Sequence, residues 1–131
     1  MGERPPEFTG VHLFVRDIAA SIAFYRRIGL TFTEGGGEFA TAPLGEGLTL
    51  ALGTYELTRG YDPVWREPSG TGTNALQFTL ASRDAVDALH GDLVGAGYAS
   101  QVAPFDAFWG ARYTEICDPD GNVVGFHSPR G

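Results

Sequence analysis

Apolar and polar side chains alternate along residues 10–15, with Val11, Leu13 and Val15 on one face and Gly10, His12 and Phe14 on the other, which predicts a β-strand. After Asp17 the period changes. Ile18, Ile22 and Tyr25 recur at helical spacing, Asp17 is a capping residue, and Gly29 stands where a helix ends in the left-handed conformation. Short strands are then predicted over residues 30–34, 38–42 and 48–52, separated by Gly35-Gly-Gly37 and Gly45-Glu-Gly47.

The same order returns in the second half. Residues 75–81 alternate as the first strand does, and Ser82 or Asp84 can cap a helix whose stripe is Val86, Leu89 and Leu93, with Gly97 as terminator. Strands resume at residues 98–102, 111–117 and 123–127. The pattern is therefore one β-α-β-β-β unit used twice. The first module covers about residues 8–53 and the second about residues 74–128, within a single domain. The connection, about residues 54–73, contains Tyr55, Tyr61 and Trp65 with little periodicity and reads as an aromatic loop. Its rings either line a pocket mouth or cover the underlying sheet.

The last strands form a hairpin. Pro119 and Gly121 in Asp118-Pro-Asp-Gly-Asn122 supply the fixed and the positive φ of a tight turn. Ahead of it, Phe105, Phe108 and Trp109 fall in a segment that reads as a loop, where large aromatics need a core or a ligand.

Length and charge narrow the function. At 131 residues with 43% hydrophobic side chains the chain is a single globular domain. No apolar run approaches the roughly 18 residues of a membrane span, and the N-terminus lacks a signal-peptide core. The single cysteine, Cys117, fits a reducing compartment, so the expected location is the cytoplasm. A net charge of −7, with no lysine, argues against nucleic acid as partner. Cys117 has no histidine or cation near it in sequence and reads as a small apolar filler, and no phosphate loop or nucleophile elbow is present.

The run from Val11 to Tyr25 with Ile28-Gly-Leu-Thr-Phe32, together with Asp118-Pro-Asp-Gly-Asn-Val-Val124, resembles the vicinal oxygen chelate superfamily of glyoxalases, bleomycin resistance proteins and extradiol dioxygenases. The resemblance implies an α+β fold of two βαβββ modules, each curling a mixed sheet around a shared cleft, and a homodimer. In the metal-dependent members, His or Glu from the first and last strand of each module holds a divalent ion. The matching positions here carry Gly10, Thr49 or Ala51, Ala75 or Gln77, and Gly125, none a carboxylate or imidazole. The expectation is therefore no metal and no other cofactor.

Trp109-Gly-Ala-Arg-Tyr113, followed by the Asp118 turn, is similar to the bleomycin-binding, antibiotic-sequestering members. That likeness implies a stacking platform at Trp109, a second ring at Phe39, and an exchanged N-terminal arm over Arg4-Pro-Pro-Glu-Phe8. The ligand-binding set is expected to comprise Trp109, Phe39, His12, Phe14, Tyr55, Trp65, Gln77, Thr79 and Phe108, with core packing the competing reading for Phe14 and Phe39. The expected function is metal-independent sequestration of an aromatic natural product or antibiotic, conferring resistance. The alternative is a glyoxalase- or dioxygenase-type enzyme with a displaced metal on His12 and His127.

Overall fold

Asp17 starts the first helix by accepting a hydrogen bond from the Ala20 N–H at 3.2 Å, and Ser82 starts its counterpart by accepting from Ala85 at 3.1 Å. Both helices also end alike. Gly29 (φ 109°) donates to the Arg26 carbonyl and Leu30 to Tyr25, while Gly97 (φ 99°) donates to Val94 and Tyr98 to Leu93. These paired bonds are the Schellman closure, which needs a residue free to take positive φ.

The computed structural model describes residues 4–69 and 74–130. The chain divides into two compact units, Met1–Glu67 and Pro68–Gly131. The first holds β1 (Gly10–Val15), α1 (Ile18–Arg27), β2 (Thr33–Glu34), β3 (Phe39–Gly45), β4 (Leu48–Thr54) and α2 (Tyr55–Tyr61). The second holds β5 (Ala75–Thr79), α3 (Arg83–Gly95), β6 (Ser100–Asp106), β7 (Arg112–Cys117) and β8 (Val123–His127).

Each unit carries a four-stranded mixed sheet, ordered β1-β4-β3-β2 in one and β5-β8-β7-β6 in the other. In both, first and last strands of the module pair in parallel and the others are antiparallel. The α+β architecture and its internal duplication follow the sequence pattern, and neither sheet closes into a barrel.

One face of each sheet is sealed by its helix. In the first unit Val15, Leu50 and Leu52 lie under Ile22, Phe24 and Tyr25; in the second Ile116, Val124 and Phe126 lie under Val86 and Leu93. Alternation then sends Gly10, His12 and Phe14, and likewise Gln77, Thr79, Tyr113 and Glu115, to the face without the helix.

Four local expectations change. Residues 54–73 are not simply a connecting loop: Thr54 caps α2 by accepting from the Leu57 N–H at 3.1 Å, and the Thr58 hydroxyl donates back to the Thr54 carbonyl. One short helical turn sequence carries too few residues for a visible period. Residues 70–73 of that connection lie outside the described residues. Only Thr33–Glu34 of the expected 30–34 strand pairs, and β6 runs on to Asp106, so Phe105 is a strand residue opposite Tyr113 instead of a loop residue. Finally, His90, which helical spacing puts on the outer, solvent-facing flank of its helix, is half-buried and within 2.9 Å of the Ser100 hydroxyl, tying α3 to β6.

Candidate functional site

The second unit builds a cleft of about 400 Å³ on the face of its sheet away from α3, lined by Gln77, Thr79, Trp109, Tyr113 and His127 with Ser128, Pro129 and Arg130. Strand register brings the first five together. Gln77 is beside Gly125, Thr79 beside His127, and His127 in turn beside Tyr113. The β6–β7 turn places the rings: Ala107 and Ala111 close it by a 2.8 Å backbone bond, and Gly110 takes φ 93° next to Trp109. Trp109 is half-buried with Tyr113 at 5.3 Å, Phe105 at 6.4 Å and Phe108 at 5.0 Å, all edge to face. Phe108 is 96% exposed, an apolar ring held in solvent beside the platform.

Under this cluster runs a polar chain. The Tyr113 hydroxyl donates to Glu115 Oε2 at 2.7 Å and accepts from Gln77 Nε2 at 3.4 Å. Thr79 Oγ1 pairs with His127 Nε2 at 3.2 Å. Burial, with the hydrogen bond and charge of Glu115, pushes the Tyr113 phenol up to about 12.

Between about pH 10, where an unfolded phenol ionises, and about pH 12, the folded chain keeps a proton that the unfolded chain releases. This contribution to stability is complete below pH ~10 and is lost as pH rises through pH 12. Alkaline titration followed by tyrosinate absorbance is expected to show a late step that is missing in Tyr113→Phe. An unchanged curve in that variant would contradict the assignment.

Gly125 explains how the phenol lies where it does. A Cβ at residue 125 would meet the Tyr113 oxygen at 2.5 Å and its ring carbons at 3.1 Å. The position at which the resemblance implies a metal-binding side chain is therefore filled by the chain's own hydroxyl. Gly10, the other such glycine, would bring a Cβ to 2.7 Å from the Thr49 carbonyl oxygen. Within either unit no three described His, Cys, Asp or Glu side chains form a metal-ligand group. The donor set does not fit a divalent ion: two of its positions have no room for a side chain, and Thr, Ala and Gln supply weak ligands or none.

The first unit carries its own aromatic group. His12 lies 4.7 Å from Phe14 and 6.3 Å from Phe39, Phe14 lies 5.8 Å from Trp65, and Trp65 lies 4.9 Å from Tyr55. Phe39 and Trp65 are only partly covered, whereas Tyr55 is buried beneath Trp65, with Arg16 and Arg59 over its ring. Arg59 also sits 5.5 Å from the Trp65 centroid while bonded to Glu56 and Glu67. Burial lowers the His12 pKa, which favours the uncharged ring at neutral pH.

The expected residues thus fall into two sets. Gln77, Thr79 and Trp109 share the cleft of the second unit, with Phe108 beside them, and His12, Phe14, Phe39, Tyr55 and Trp65 form the group in the first. His12 and His127 belong to different units. Tyr113, Glu115, Phe105 and the segment 128–130 were not among the expected site residues. Strand alternation over residues 111–117 is enough to put Tyr113 and Glu115 on one face, but only the register sets them against Gly125 and Gln77.

Cys117 is half-buried with Sγ 3.4 Å from Gln101 Oε1, and burial, then the charges of Asp118 and Glu115, pushes its thiol up. Such a thiol is a poor nucleophile.

Comparison with known proteins follows the same lines. A family model described as the glyoxalase/bleomycin resistance protein/dioxygenase superfamily matches residues 8–126. No curated protein matches the chain significantly. Among solved structures, a glyoxalase/bleomycin resistance protein/dioxygenase family enzyme from Burkholderia phytofirmans is 24% identical, with a TM-score of 0.81 over 92% of this chain and 96% of its own. A glyoxalase/bleomycin resistance protein/dioxygenase from Nocardioides is 28% identical, TM-score 0.76, covering 98% and 86%. Lactoylglutathione lyase from Agrobacterium tumefaciens is 21% identical, TM-score 0.69, covering 96% of each chain. These are likenesses of fold.

Proposed function

The chain belongs to the glyoxalase/bleomycin resistance protein/dioxygenase superfamily, and from that premise we propose that it is a metal-independent binding protein that sequesters a planar aromatic natural product or antibiotic. The observation that carries this reading is the cleft of the second unit. It pairs a half-exposed Trp109 and its ring neighbours with the few polar groups of Gln77, Thr79, Tyr113 and His127. Its volume, about 400 Å³, lies in the range of small-molecule sites. A stacking ring set among hydrogen-bond groups suits capture of a flat ligand, and Tyr113 occupies the space a metal-binding side chain would need.

Trp109 is the stacking platform of this cleft, and within the first unit Phe39 offers a ring of its own, with His12, Phe14 and Trp65 beside it and Tyr55 supporting Trp65 from beneath. The protein acts as a homodimer in the cytoplasm, with the exposed segment Arg4–Phe8 as its exchanged arm and resistance to the bound compound as the outcome. The excess of acidic residues favours cationic compounds.

Titration with a panel of planar antibiotics, followed by tryptophan fluorescence, tests the reading. Trp109→Ala is expected to weaken the best binder by tenfold or more, since a central aromatic anchor contributes about 2 kcal/mol or more. Equal affinities in wild type and variant would remove the platform. A stoichiometric divalent ion in the purified protein, lost in His12→Ala/His127→Ala, would replace this reading with the metal-dependent one.

A further inference from the structure

The cleft of the second unit has one polar group whose orientation is set from behind. The Glu115 carboxylate accepts from the Tyr113 hydroxyl at 2.7 Å, which points the phenolic O–H toward it. The phenolic oxygen is left with its lone pairs. Gln77 uses one of these through a long 3.4 Å bond, and the glycine at 125 lets the oxygen lie flat over β8. Edge contacts from Trp109, Phe105 and His127, at 5.3, 6.0 and 6.4 Å, hold the ring from turning away. Thr79 and His127, the other polar pair, bond each other. The charged groups nearby are Arg130 in the lining and Glu115 behind the phenol.

An oxygen in this state is an acceptor, made stronger because its own O–H donates a hydrogen bond to a carboxylate. A ligand carbonyl or ether set against it would oppose lone pair to lone pair and leave both without a partner. We infer that Tyr113 is a specificity-determining residue that selects planar ligands presenting an N–H or O–H donor at their edge, with Glu115 as its positioning residue. The inference rests on the binding function proposed above and names the chemistry that function recognises.

Proflavine and acridine orange separate the two. Both are planar cations, but acridine orange is used as its 10-methyl salt, so that neither its amines nor its ring nitrogen keeps a hydrogen, whereas proflavine carries N–H at all three. Wild-type protein is expected to bind proflavine about fivefold to tenfold more tightly, the worth of one hydrogen bond in a covered site. Tyr113→Phe should bring proflavine down to the acridine orange affinity and leave acridine orange within about twofold. Glu115→Ala frees the phenol to turn its proton outward and should narrow the preference. Glu115→Gln, whose amide oxygen still accepts, should restore it, an outcome that loss of mere structural support would not give.

A preference that survives Tyr113→Phe, or an absence of any preference while both dyes bind through Trp109, overturns this inference and leaves the binding function standing. A cleft that rejects proflavine while taking other planar compounds through Trp109 overturns it as well. If no planar probe responds to Trp109→Ala, the binding function falls and the inference with it.

Discussion

Asp118→Ala is expected to destabilise the protein by roughly 2–4 kcal/mol, lowering the melting point by about 8–15 °C. The side chain is 4% exposed and organises the whole β7–β8 turn. Its Oδ1 accepts from the N–H groups of Asp120 and Asn122, both at 2.9 Å, and its Oδ2 accepts from Asn122 Nδ2 at 3.0 Å. Alanine would leave those donors facing a gap that water cannot fill equally well, and bonds to a charged acceptor count for more than neutral ones. Asp118→Asn should lose about half as much, since one oxygen still takes both backbone donors while the new amide opposes that of Asn122. Thermal unfolding followed by circular dichroism measures both. A change within about 2 °C for Asp118→Ala would show that the turn closes without its carboxylate.

Gly125→Glu is expected to cost still more, about 3–5 kcal/mol, for two reasons that can be separated. Any Cβ at 125 meets the Tyr113 oxygen at 2.5 Å, so the phenol must leave Glu115 or the strands must part. A carboxylate there also stands directly across from Glu115, its partner in the β7–β8 register. Gly125→Ala isolates the first effect, at about 1–3 kcal/mol. Gly125→Gln adds bulk without charge. Two facing carboxylates resist joint ionisation, so the Glu variant should recover stability relative to the Gln variant as pH falls through about 5 to 4. In a Tyr113→Phe background the alanine cost should shrink but persist, because ring carbons still lie at 3.1 Å. Urea unfolding of the four proteins of that cycle decides it. An additive cycle would mean that residues 113 and 125 do not compete for one space.

Much of the fold was legible because its signals are local. Asp17 and Ser82 cap, Gly29 and Gly97 terminate, and Gly121 turns (φ 86°) through contacts within a few residues in the chain. The period of two in β1 and β5 likewise declares which side chains meet a helix. Where the sequence reading slipped, the deciding contacts were elsewhere. The helix α2 is a single capped stretch with no stripe of its own length, and β6 extends to Asp106 because β7 offers it partners, which alternation within β6 alone does not reveal.

The site divides in the same way. Residue types alone set its limits: a glycine at 125 and at 10 cannot ligate, Trp109 sits in a turn next to Gly110, and Tyr113 and Glu115 must face one way. What their positions mean was settled by register across three strands, β5, β8 and β7, which no spacing along the chain encodes. Register places the Tyr113 hydroxyl over Gly125, directs its O–H to Glu115 as a hydrogen-bond donor and brings Gln77 to its other side. The sequence by itself thus determined the duplicated β-α-β-β-β order and the residue types that cannot ligate, because those follow from local φ, capping and side-chain type. Tertiary structure alone decided that the empty position is filled by a phenol, because hydrogen bonds and excluded volume act between residues distant in the chain.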